Sequence, residues 1–298
     1  MKQPTSNYTQ TTPRLCYETF GSSNNPAVLL IMGASAQGIL WPDYYCHFLA
    51  DNNYFVIRYD HRDTGLSATS LDFNLHPYTL PDLARDALNL LAELGVKRAH
   101  IIGTSMGGYL AQLIALFNPD LVASLTLIAS TTDLSCLTDI IDGKDAEDCK
   151  IIAPLPKVIA MLTGQLVQDP KADELTQLVA SWRILNGDDT PFAEDFFYDL
   201  AKRSLECAIN PAAAGNHLAA IRATNFDYYA KLLPTIKQPT LIMHGVSDPI
   251  LPLKHGKTIA NTLPNSRFIV IPYMGHMLAP KFDELITRRI LEHLKGIN

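Results

Sequence analysis

Short, nearly continuous apolar runs recur along the chain, each long enough for a strand and too short for a helix. Residues 27–32 (Ala-Val-Leu-Leu-Ile-Met) end at Gly33, and similar runs occupy 54–59, 99–103, 124–129, 240–244 and 267–271. Runs without polar alternation predict strands buried on both faces. A weaker run at 14–20 predicts an edge strand. Between the runs lie segments of helical period, the clearest being 80–94, where Leu80, Leu83, Ala84, Ala87, Leu90, Leu91 and Leu94 share a stripe. Thr79 is positioned to start this helix and Gly95 to end it. A final helix places Phe282, Leu285, Ile286, Ile290 and Leu294 on one face. Strands alternating with helices predict an α/β fold, with a mostly parallel central sheet flanked by helices on both sides.

The alternation stops from about Leu134 to Thr235, where helical patterns at 175–185 and 192–207 replace the strand signal. It resumes at Pro239. The predicted organisation is therefore a discontinuous core, residues 1–133 and 236–298, wrapped around an inserted helical cap at 134–235.

Composition narrows the function. The chain has 298 residues, 47% hydrophobic and 18% charged, with 24 basic and 30 acidic side chains for a net charge of −6. That balance argues against a protein that binds by neutralising phosphates, so no nucleic-acid partner is expected. No segment reaches the ~18 apolar residues of a membrane span, and the first ten residues lack the apolar stretch of a signal peptide. Cys16, Cys46, Cys136, Cys149 and Cys207 are odd in number and contain no C-x-x-C pair. Reduced thiols, a cytoplasmic location and no metal or other cofactor are expected.

Gly103-Thr104-Ser105-Met106-Gly107 is a G-x-S-x-G motif at the junction of a predicted strand and a helix through Leu110, Leu113 and Ile114. About 0.1 such matches arise by chance in a chain this long, and the strand-turn-helix setting adds to the signal. The small flanking residues allow a very tight turn that thrusts the serine oxygen into a cleft. Serine is a weak nucleophile, so it needs a base, and the base needs an acceptor to fix its tautomer. His276 follows the run ending at Ile271, and Asp248 follows the one ending at His244. Asp133, just after the run ending at Ala129, is the rival acid. His61 follows a strand but reads as serving its polar turn, His244 and His100 read as strand-end structural residues, and His47, His76, His217, His255 and His293 lack the strand-end setting or sit too far from the serine-bearing edge. Oxyanion donors are expected from the main-chain N–H groups of Met106 and Ala34.

These residues, in the order Ser105, Asp248, His276, resemble the α/β-hydrolase superfamily. The segment 58–67 is similar to its D-x-R-x-x-G-x-S turn. Trp41-Pro42-Asp43, that turn, and Ser181-Trp182-Arg183-Ile184-Leu185 resemble the aclacinomycin methylesterase branch, whose members hydrolyse a methyl ester on an anthracycline. The resemblance implies an α/β-hydrolase fold, a Ser105, His276, Asp248 triad and an Ala34, Met106 oxyanion pair. Met32-Gly33 replaces the His-Gly of many relatives, a change that a main-chain N–H donor tolerates. Trp182 is the candidate substrate-pocket residue.

The expected activity is a serine hydrolase that cleaves a small-molecule carboxylic ester, such as a methyl ester, or a lactone through an acyl-enzyme. The same site could serve an acyltransferase or a peroxidase-like enzyme, in which another acceptor replaces water. A non-catalytic ligand-binding receptor is the rival from a different class.

Overall fold

The computed structural model describes residues 6–70, 72–166 and 171–297. The first five residues of the N-terminal stretch and residues 167–170 of the expected cap lie outside the described residues. The first part of the chain contains strands β1 (Asn7–Tyr8), β2 (Cys16–Phe20) and β3 (Ala27–Ile31), helix α1 (Asp43–Asp51), and strand β4 (Phe55–Tyr59). There follow α2 (Leu80–Glu93), β5 (Ala99–Thr104), α3 (Met106–Phe117) and β6 (Val122–Ile128). The helices α4 (Ser135–Ile141), α5 (Pro156–Leu162), α6 (Glu174–Leu185), α7 (Glu194–Glu206), α8 (Asn216–Arg222) and α9 (Phe226–Ala230) come next. β7 (Thr240–Gly245), α10 (Lys254–Thr262), β8 (Ser266–Ile271) and α11 (Asp283–Lys295) complete the fold.

The strands form one sheet in the order β1-β2-β4-β3-β5-β6-β7-β8. β2 runs antiparallel to both its neighbours, and the pairs from β4 through β8 are parallel. Strands β3 to β7 are buried along their whole length. Successive side chains on these strands feed opposite layers. Leu29 and Ile31 join the apolar cluster containing α2 and α3, whereas Val28 and Leu30 join the one containing α1 and α11. A continuous apolar run is thus the sequence mark of a strand covered on both faces. α2 begins at Thr79, whose N–H and hydroxyl both donate to the Asp82 carboxylate at 2.8 and 2.7 Å. Thr79 and Asp82 thus form a capping box at this helix start, the Thr79 side chain receiving the Asp82 N–H while the Asp82 carboxylate receives that of Thr79.

Two expectations are corrected. The run at 14–20 is not an edge, because the two-residue β1 pairs outside β2. The thiols are not all free, because α4 and the turn after it bring Cys136 and Cys149 into a disulfide with Cα atoms 5.2 Å apart. Cys16, Cys46 and Cys207 remain free, and burial pushes the thiols of Cys16 and Cys46 up to about 12. The disulfide spans 13 positions, a loop whose closure is worth about 3 kcal/mol. Dithiothreitol, or Cys136→Ser, is expected to lower the urea midpoint accordingly; an unchanged midpoint would mean the bond does not bear on global stability. Among the described residues no helix is long and apolar enough to cross a membrane.

Candidate active site

Ser105 stands between β5 and α3 with φ 55° and ψ −126°, a conformation that costs an L-residue about 1–3 kcal/mol. Its surroundings hold it there. The Ser105 N–H donates to the Ile128 carbonyl at 3.0 Å, and the Ser105 carbonyl accepts from Ser130 Oγ at 2.7 Å. A Cβ on Gly107 would lie 2.3 Å from the Ile31 carbonyl oxygen, so this turn presses directly on β3. A Cβ on Gly33 would come within 3.1 Å of Ser105 Cβ. A side chain there would have to crowd the serine aside, and glycine avoids this. Ala34 follows, and it borders the same cavity as Met106 at the start of α3. The first N–H groups of a helix have no intrahelical acceptor, which leaves that of Met106 available to a ligand.

On the far side, His276 Nδ1 lies 2.8 Å from Asp248 Oδ2. Asp248 Oδ1 accepts from the N–H groups of Ile250 and Leu251 at 3.1 and 2.9 Å, and His244 Nε2 stands 3.5 Å from Oδ2. Burial raises the Asp248 carboxyl, but the charge and hydrogen bond of His276, then His244 and the Leu251 N–H, outweigh it and hold it below its ordinary value. Asp133 is engaged elsewhere. Its Oδ1 accepts from the Ser135 N–H at 2.7 Å, and Lys150 lies 3.9 Å away. The His276 main chain is fixed from the helical segment, its N–H donating to the Leu185 carbonyl at 2.8 Å.

Ser105, His276, Ala34, Met106 and Trp182 all line one cavity of about 580 Å³ between the sheet and helices α4 to α8. Its walls are mainly apolar, with Leu134, Leu137, Leu178, Phe197 and Met277 among them. Trp182 is 7% exposed and meets Phe197 edge to face at 6.2 Å. Arg183, beside it in sequence, points outward to pair with Glu194 and cover the Phe192 ring. Among the described residues no group of three or more His, Cys, Asp or Glu side chains is set to hold a metal ion.

Within the 58–67 turn, Asp63, Thr64 and Gly65 line the cavity, whereas Arg62 and Asp60 hold neighbouring segments together. Arg62 grips Asp86 with two bonds of 2.6 Å. Asp60 accepts from the N–H groups of Gly38 and Leu66 at 2.8 and 2.9 Å, and burial pushes its carboxyl up to about 6. This carboxylate joins the chain after Ala34 to the turn after β4.

A family model described as the alpha/beta hydrolase fold matches residues 26–148. Rhodomycin D methylesterase DnrP of Streptomyces peucetius is 33% identical over 98% of this chain and 99% of its own length. The chain belongs to the α/β-hydrolase family, in its esterase branch. Rhodomycin D methylesterase DauP of Streptomyces sp. (strain C5) is 32% identical over the same shares. Among solved structures, a hydrolase from Pseudomonas aeruginosa superimposes with a TM-score of 0.74 at 23% identity, over 97% of this chain and 98% of that one. A thermophilic esterase from Thermogutta terrifontis gives 0.70 at 22%, over 99% of both. These last two likenesses show the fold.

Two histidines that do not read as the base, His61 as a loop residue and His217 for want of a strand-end setting, touch the framework of the site in this hydrolase. His61 and His217 are 1% and 0% exposed, with their rings edge to face at 5.5 Å. Burial, and for His61 the neighbouring His217, lowers them to about 3 and about 4. The pH consequence has a definite sign. A histidine held neutral in the fold takes up its proton only on unfolding, so its contribution to stability is lost as pH falls from 6.5 toward 4. His217→Phe removes one such proton, with Arg62 and His61 the charged and titratable neighbours left in place. Urea titrations of the variant are expected to lose about 1.4 kcal/mol less per pH unit than the parent between pH 6 and 4.5. Parallel lines would show that His217 is protonated in the fold.

Proposed function

We propose that this α/β-hydrolase cleaves a carboxylic ester through a serine-bound acyl intermediate, and that the ester is a methyl ester on a bulky, largely apolar acid. The observation that carries the chemistry is the His276–Asp248 bond of 2.8 Å at the wall of the cavity into which Ser105 opens. In this reading Asp248 holds the proton on Nδ1 of His276, which leaves Nε2 free to take the proton of Ser105. Ser105 Oγ adds to the ester carbonyl, and the N–H groups of Ala34 and Met106 receive the developing oxyanion. His276 then returns the proton to the departing methoxide, giving methanol. Water, activated by the same histidine, releases the acid.

The size and character of the cavity support the substrate class. A void of about 580 Å³ walled by leucines, Trp182 and Phe197 suits a polycyclic acid better than acetate. The names of the two methylesterase relatives point the same way. Helices α4 to α8 act in this account as a cap that closes the acyl pocket over a core formed by residues 1–133 and 236–298. Methanol release from methyl 1-pyrenecarboxylate and methyl acetate, measured side by side, tests the assignment. The bulky ester is expected to give a kcat/KM at least about 100-fold higher, from roughly 3 kcal/mol of extra apolar contact. A preference for the acetate would contradict it.

A further inference from the structure

Two histidines with no part in that proton relay bracket the turn that carries Ala34. His61 Nε2 lies 3.0 Å from the Met32 carbonyl, just before the turn. His217, on α8, has Nδ1 2.9 Å from the Ser35 N and Nε2 2.9 Å from the Arg62 carbonyl. A carbonyl can only accept, so Nε2 of His217 bears the proton and Nδ1 offers its lone pair to the Ser35 N–H. One tautomer satisfies both contacts. Ser35 itself sits at φ +59°, a left-handed conformation that a serine keeps only if its surroundings hold it. Both polar groups of Ser35 that donate do so to the helical segment, the N–H to His217 and Oγ to the Ala214 carbonyl at 2.7 Å.

We propose that His217 is a positioning residue for the oxyanion donors: by accepting the Ser35 N–H it fixes the turn that presents Ala34 beside Ser105. The inserted helices then do more than enclose the substrate. They supply the anchor that shapes one wall of the reaction site, while His61 anchors the same turn to the core. Protonation of Nδ1 would remove the acceptor, and the burial that keeps His217 neutral protects the contact. The inference rests on the serine-hydrolase reading, because it assigns a purpose to the Ala34 N–H.

The test uses the full chain and a p-nitrophenyl ester that the parent turns over. His217→Phe keeps a planar ring and removes both bonds, whereas His217→Asn places an amide oxygen near the former Nδ1. Circular dichroism and a thermal melt establish folding of each. His217→Phe is expected to lower kcat about 100-fold, the scale of one misplaced oxyanion donor, with KM within about two-fold. His217→Asn is expected to recover at least about a tenth of the parent kcat. A folded His217→Phe with parental kcat, a loss confined to KM, or an Asn variant no better than Phe would overturn the proposal. Should His217→Phe fail to fold, ¹⁵N spectra of the parent decide: Nδ1 of His217 unprotonated and hydrogen-bonded at pH 7 supports the proposal, and a protonated Nδ1 overturns it. Ser105→Ala in the same assay separates the two levels. If it retains activity, the serine reading fails; if it is inactive while His217→Phe is unimpaired, the positioning role alone fails.

Discussion

Ser105→Ala is expected to lower kcat on any ester the parent hydrolyses by roughly 10⁶-fold, with folding intact. The serine occupies a strained turn whose main-chain contacts, Ile128 and Ser130, do not involve its hydroxyl. Removing Oγ therefore takes away the nucleophile and little else. Alanine at φ 55° is strained to a similar degree, so the melting temperature is expected to stay close to that of the parent. The loss would fall on kcat, since a smaller side chain at the cavity wall does not weaken ground-state binding. Initial rates on the ester favoured by the parent, with protein purified separately from any active enzyme, measure it. A variant retaining more than about a tenth of the parent rate would exclude Ser105 as the nucleophile.

Asp248→Asn carries the second largest expected effect, about 10⁴-fold in kcat. The carboxylate accepts from His276 Nδ1 through Oδ2 and from two main-chain N–H groups through Oδ1. An asparagine oriented to keep the two main-chain bonds turns its NH₂ toward His276 and favours the tautomer with the proton on Nε2. That histidine cannot take the serine proton. Asp133→Asn supplies the contrast, because Asp133 bonds to the Ser135 N–H and not to His276. It is expected to leave kcat within about two-fold. Equal losses in the two variants would contradict the assignment of Asp248.

Much of this was legible in the sequence because the information was local. Each buried parallel strand declares itself by an apolar run of five or six residues, and Ser105 by a motif confined to one turn. His276 and Asp248 could be singled out because topology places the ends of β7 and β8 on the serine's side of the sheet. The two-residue β1 carried no pattern, since its existence depends wholly on pairing with β2. The Cys136–Cys149 bond follows from how α4 folds back, and its spacing matches no motif. His217 was the least visible. Its partners lie 182 and 155 positions away, and a buried histidine between two loops has the same sequence surroundings as an ordinary core residue. Asp60 and Arg62 were conspicuous through the turn they belong to, yet Asp60 joins two loops and Arg62 ties the turn to α2.

In the proposed reaction Ser105, activated by His276 and Asp248, forms the covalent intermediate. Incubation with a fluorophosphonate followed by peptide mass spectrometry tests it most directly, because the reagent requires both an activated serine and oxyanion donors. One adduct per chain, located on Ser105 and formed at least about 10³-fold more slowly in His276→Ala, is the predicted result. A folded, ester-cleaving protein that gains no adduct, or gains it on another residue, would rule out Ser105 as the nucleophile.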